Sequence, residues 1–250
     1  MATVKYTTIP AAHGPIPVEV HLPEKLARRT VILHFQGGGF VTHFSAQNEG
    51  LCSRLAEACG CAVASVIYRL APNHPFPAAT DDALVALQWA ATMTKDLVVC
   101  GESAGGALAA ASTLLARTRG GPTIAQQWLI YPMLAGGMDT DSRKNAVDDQ
   151  PMANIRAGWS AYTEGNVDMT DPMAAPLHAN DLSGLPSALI IVGENDPLRD
   201  EAMLYAGRLH RAGVAVDLHR FADAPHGFLT SSKTQGQREE AFELMRNRLT

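Results

Sequence analysis

At 250 residues, 46% of them hydrophobic and 18% charged, the chain can bury one large core, and nothing in its length forces a split into two domains. A formal net charge of −5 without any basic run offers nucleic acid or an anionic membrane no electrostatic handle, so a small molecule is the expected partner. No apolar segment follows a basic start at the N-terminus, and no stretch approaches about 18 uninterrupted apolar residues, so a soluble, cytoplasmic protein is expected.

Taken in order, the chain alternates strand and helix signals. Ile16 to Leu22 alternates in strand fashion before Pro23 and reads as the first strand; Thr30 to Phe35 is a β-branched run that stops at Gly37-Gly38-Gly39. Ser45 to Ala58 reads as a helix and Cys61 to Tyr68 as a strand. Arg69 to Ala79, with Pro72, Pro75 and Pro77, reads as a rigid loop. Thr80 is a natural N-cap for a helix running to Met93. Leu97 to Cys100 is a short buried strand, and Ala104 to Ala116 a helix apolar on nearly every face. Gln126 to Tyr131 and Ser187 to Val192 are further strands, separated by a polar, irregular stretch from Ala135 to Pro186 with one helix, Asn154 to Tyr162. Leu198 to Ala212 is an amphipathic helix, Val214 to Phe221 the last strand and Gln237 to Leu249 the last helix. Strands spaced by helices in this way make a mostly parallel central sheet with helices on both faces. Cys52, Cys59, Cys61 and Cys100 lie in apolar segments without C-x-x-C spacing, which favours buried thiols over zinc or disulfides.

The chain is organised around Cys100-Gly101-Glu102-Ser103-Ala104-Gly105-Gly106. This Gly-x-Ser-x-Gly falls between a strand and a helix, where the turn is so sharp that a Cβ on either glycine would collide and only Ser103 is left at the tip. In a parallel sheet the chemistry gathers at the carboxyl ends of the strands. Ser103, Asp196 and His226 all lie just beyond predicted strand ends, in the order Ser, Asp, His. A serine hydroxyl is a weak nucleophile at neutral pH. An imidazole must take its proton, and a carboxylate must hold that imidazole in the right tautomer. Glu194 and Asp200 are alternative carboxylates. His226 stands out among nine histidines because Ala-Pro-His-Gly-Phe joins the last strand to the last helix; an imidazole there should titrate at about 6 to 7. His34 reads as a core strand residue near enough to the glycine triplet to support it.

These motifs resemble one family over almost the whole length. Gly37 to Val41, Tyr68-Arg69-Leu70-Ala71-Pro72 with His74 to Ala79, Gly101 to Gly106, Asp196 to Glu201 and His226-Gly227-Phe228 are similar, in the same order, to the hormone-sensitive-lipase-like esterases, bacterial family IV, of the α/β-hydrolase superfamily. The resemblance implies an α/β-hydrolase fold and a serine carboxylesterase for short acyl esters, needing neither cofactor nor metal. Ser103 would be nucleophile, His226 base and Asp196 its orienter. Backbone N–H groups of Gly38, Gly39 and Ala104 would form the oxyanion hole, supported by Gln36 and Gly37. The loop from Tyr68 and Asp82 would be structural.

Three departures from the family pattern stand out. Gln36 occupies the place of a His and could still donate a hydrogen bond to the loop; Glu102 replaces an Asp; and the usual N-terminal cap segment is missing, which implies a reduced cap built from residues 135–186 within a single 1–250 domain. Phe40, Phe44, Trp159 and Tyr162 are candidates for the pocket wall. The same machinery could serve an amidase or formamidase, a lactonase or a thioesterase, and some relatives of the family are non-catalytic small-molecule receptors. A homodimer is one possible assembly.

Overall fold

The computed structural model describes residues 2–146, 149–166 and 169–249. Its elements run β1 (Thr3–Ile9), β2 (Ile16–Leu22), β3 (Val31–Phe35), α1 (Ser45–Cys59), β4 (Ala62–Val66), α2 (Ala78–Ala90), β5 (Leu97–Glu102), α3 (Ala104–Thr118), β6 (Gln126–Ile130), α4 (Asp141–Lys144), α5 (Asp149–Tyr162), β7 (Ser187–Asn195), α6 (Arg199–Arg211), β8 (Val216–Pro225) and α7 (Gln235–Asn247). The strands form an eight-stranded sheet in the order β1-β2-β4-β3-β5-β6-β7-β8. From β4 to β8 all neighbours are parallel, whereas β2 joins β1 and β4 antiparallel. This is the α/β-hydrolase fold.

Every residue of β3 and β5 is buried, as expected of parallel strands covered on both faces. On the helices the same demand selects small side chains. All residues of α3 from Ala104 to Ala116 are buried, and α3 lies across β3, β5 and β6 while packing against α2. α1 packs against α7, and α6 covers β7 and β8. All four cysteines are free and buried.

Three sequence expectations need correction here. The sheet does not begin at Ile16: β1 precedes it, paired with β2 from Thr3↔Leu22 to Ile9↔Ile16. Most of β1 is exposed, so it lacks the apolar alternation that announces a strand, and backbone pairing holds it instead. Thr80 does not cap α2, which starts at Ala78 after Pro77; its hydroxyl is buried and within 2.9 Å of the Tyr162 Oη. The helix expected from Asn154 begins at Asp149.

Candidate active site

The sharp turn after β5 sets the site. Ser103 has φ 54° and ψ −118°, a conformation L-residues rarely adopt, and its backbone is tied on three sides. Its N–H donates to the Ile130 carbonyl (2.9 Å), and its carbonyl accepts from Gly106 (3.0 Å) and Met133 (2.9 Å). A Cβ on Gly101 would strike the Gly105 carbonyl, and one on Gly105 would strike the Phe35 carbonyl on the neighbouring strand. The two glycines therefore let β5, α3 and β3 meet behind the serine.

β7 and β8 end beside it. The Ser103 Oγ lies 3.0 Å from His226 Nε2, and His226 Nδ1 lies 2.9 Å from Asp196 Oδ2. The other carboxylate oxygen, Oδ1, accepts the Leu198 N–H at 2.8 Å, which fixes the orientation of a fully buried side chain. The structure thus brings Ser103, His226 and Asp196 into one hydrogen-bonded series. Glu194 pairs instead with Arg199 and Arg220, and Asp200 accepts from Arg199 and the Ser142 N–H, so neither alternative carboxylate turns to the imidazole. Burial alone would pull the His226 pKa down. The charge and hydrogen bond of Asp196 outweigh it, with Glu201 adding, so the imidazole titrates above its ordinary value of 6.5.

Facing Ser103 is the loop from Gln36 to Phe44. The Tyr68 hydroxyl donates to the Gln36 carbonyl (2.8 Å), the Gly37 N–H donates to Glu102 Oε1 (2.8 Å), and the Val41 and Thr42 N–H groups both close onto the Gly38 carbonyl at 3.0 Å. Gly38 sits at φ +115°, where a Cβ would also hit the Thr42 carbonyl. Among the described residues no group accepts a hydrogen bond from the N–H of Gly38, Gly39 or Ala104. Unspent donors at a helix N-terminus and in a rigid loop are what an anionic oxygen needs.

Between loop, serine and α5 lies a cavity of about 630 Å³, lined on the α5 side by Gln150, Pro151, Asn154, Ile155 and Ala157. Among the described residues no three His, Cys, Asp or Glu side chains converge to hold a metal ion.

A sequence profile described as the alpha/beta hydrolase fold matches residues 32–230. Esterase LipI of Mycobacterium tuberculosis is 37% identical over 231 residues, 86% of this chain and 72% of its own, and an arylesterase of Saccharolobus solfataricus is 34% identical over 232 residues, 89% of this chain and 76% of its own. A Pyrobaculum calidifontis esterase structure superposes with a TM-score of 0.92 at 37% identity, over 99% of this chain and 84% of that one. The chain belongs to the hormone-sensitive-lipase-like carboxylesterases, bacterial family IV.

In this carboxylesterase the departures from the family pattern have defined surroundings. The Gln36 side chain reaches the His43 ring and not the glycine backbone, so it braces the far end of its own loop. Glu102, the residue before the serine, contacts both Gly37 and His34, whose Nε2 lies 2.6 Å from Glu102 Oε2. Sequence reading placed His34 nearby but missed the Glu102 contact, which spans two strands. The aromatic candidates divide. Phe44 lines the cavity, whereas Phe40 stacks on Tyr162 with centroids 3.8 Å apart and meets Trp159 edge-on, forming a buried cluster beneath the loop. The Arg69–Asp82 ion pair, which also engages His13, clamps the proline loop to α2.

Proposed function

We propose that this carboxylic-ester hydrolase cleaves short-chain acyl esters of small molecules by two-step acyl transfer through Ser103, His226 and Asp196. Ser103 Oγ attacks the ester carbonyl while His226 Nε2 takes its proton, and the oxyanion is met by the N–H groups of Gly38, Gly39 and Ala104. The alcohol leaves with the proton returned by His226. Water then repeats the sequence on the acyl-enzyme, and no cofactor takes part. The observation that carries this reading is the unbroken series Ser103–His226–Asp196, at 3.0 and 2.9 Å, on a strained turn whose nearby donors are unspent.

The preference for short acyl groups rests on the cavity, which α5 covers from one side with polar Gln150 and Asn154 among its lining residues. We take residues 135–186 as the cap of a single domain. Added methylenes there gain less than the roughly 0.8 kcal/mol of a fully buried CH₂. The test is hydrolysis of p-nitrophenyl esters from acetyl to dodecanoyl, beside labelling by a fluorophosphonate. Activity is expected to peak between acetyl and butyryl, with labelling lost in Ser103→Ala. A maximum at dodecanoyl would overturn the short-chain assignment, and full labelling of Ser103→Ala would overturn the nucleophile.

A further inference from the structure

The loop that presents Gly38 and Gly39 is fastened at its first glycine by a buried side-chain relay that the proposed reaction does not itself use. His34 is wholly buried on β3, opposite Cys100 of β5, and Glu102 is 7% exposed at the end of β5. Carboxylate oxygens only accept, so the 2.6 Å contact makes His34 Nε2 a donor to Glu102 Oε2 whatever the protonation state of the ring. The remaining oxygen, Oε1, accepts the Gly37 N–H at 2.8 Å. On the other side of the ring, Nδ1 lies 3.1 Å from Ser65 Oγ and 3.3 Å from Cys52 Sγ, and Ser65 in turn accepts from Asn48 Nδ2 at 3.0 Å. The ring is thus held at both nitrogens, in a core where side chains have little room to shift.

We infer that His34 is a positioning residue for ester hydrolysis: by locking one oxygen of Glu102, it aims the other at the Gly37 N–H and so fixes the oxyanion loop relative to the serine that directly follows Glu102. The inference rests on the proposed oxyanion role of that loop. Geometry supports it twice. Glu102 is peptide-bonded to Ser103, so one residue indexes the nucleophile and the opposing donors to each other; and the space beside Gly37 is tight, since a Cβ there would lie 3.1 Å from the Glu102 carbonyl oxygen. Electrostatics agrees. Burial disfavours an imidazolium at His34, but Cys52 and Glu102 outweigh burial and hold its pKa well above the ordinary value, so the Glu102 contact is charge-assisted.

A double-mutant cycle on p-nitrophenyl butyrate hydrolysis tests this, with kcat and KM read separately, urea unfolding of each variant, and fluorophosphonate labelling of the parent enzyme. Glu102→Ala removes the acceptor and should lower kcat by about 30-fold or more with KM changed less than about 3-fold, because misaimed oxyanion donors are felt mainly in the transition state. Glu102→Gln keeps an acceptor oxygen for Gly37 and turns its N–H₂ to His34 Nε2, which accepts once the ring is neutral with its proton on Nδ1, so kcat should stay within about 5-fold. His34→Phe leaves Glu102 a buried carboxylate without its donor and should lower kcat about 10-fold. Adding Glu102→Gln to His34→Phe should bring kcat back toward the Glu102→Gln level, a coupling that a merely space-filling His34 would not produce. Should Glu102→Ala fail to fold, the His34→Phe and Glu102→Gln arms decide alone. A folded Glu102→Ala with parental kcat, or effects of His34→Phe and Glu102→Gln that simply multiply, would overturn the positioning role while leaving the serine mechanism standing. A parent enzyme that neither hydrolyses the ester nor takes the label would overturn both.

Discussion

His226 is held by Asp196 and touches Ser103, and in the proposed mechanism each of the three side chains is useful only while the other two are in place. Ser103→Ala, His226→Ala and Asp196→Asn should each lower kcat by about 10³-fold or more, and a double variant should lose little beyond a single one. Additive losses in steady-state kinetics would break the unit apart. The raised His226 pKa has a signed consequence: as the proposed base it must be neutral, so kcat/KM should rise with pH through a midpoint above 6.5. Sequence alone gives only the ordinary imidazole range of about 6 to 7, because no sequence pattern reports how close Asp196 comes. A limb centred at or below 6.5 would contradict the geometry. Gln36 is a different case. Its carbonyl is held by Tyr68 and its amide turns to His43, so Gln36→Ala, which keeps the carbonyl, should change kcat by less than about 3-fold. A 10-fold loss would mean that the His43 contact governs the loop.

At the scale of elements, the meeting of β3, β5 and α3 leaves no room for a Cβ. Gly105→Ala would drive a Cβ into the Phe35 carbonyl, which belongs to the backbone of a central strand and has no side-chain freedom to yield. The variant should lose about 3 kcal/mol in urea unfolding. A loss within about 0.5 kcal/mol would show that the strands can part there. The meeting of β5 and α3 was legible in the sequence, as were the parallel strands, because continuous apolar runs and a Gly-x-Ser-x-Gly at a strand end each have one physical cause; that Gly105 also meets β3 was not. Other features were written less clearly. β1 carries almost no core, so its residues show no periodicity and its existence depends on β2. β7 and β8 run on past their apolar stretches to Asn195 and Pro225, which pair beyond a register shift after Gly193↔Phe221, an irregularity that no periodic pattern announces. Phe40, Trp159 and Tyr162 are apolar whether they face a cavity or one another, and the choice is made by a contact between segments more than a hundred residues apart.

For the whole molecule, acid is the condition that sets its buried groups against each other. His21 is fully buried against Ser53, and burial lowers its pKa to about 4. The unfolded chain, titrating near 6.5, therefore binds the proton more readily, and stability drains away as pH falls through that window. Burial raises Glu201 to about 7 despite Arg143, and Asp196 lifts His226 against the pull of burial; both contribute stability at lower pH that is lost as pH rises through their folded values. Comparing His21→Phe with the parent isolates one side of this balance. Their difference in unfolding free energy should shift by about 2 kcal/mol in the variant's favour between pH 7 and pH 4.5, and a pH-independent difference would refute it. Temperature acts on a different weakness. Asp196 and His226 ride just past the ends of β7 and β8, and β8 is one of the two edge strands of the sheet, half-exposed along most of its length, whereas Ser103 directly follows a central strand buried throughout. Segments with few buried apolar contacts open locally at lower cost than the buried core. Fraying of β8 would carry His226 out of reach of Ser103 while the central strands stay folded, so on the proposed mechanism warming should silence this chain reversibly, several degrees before it melts.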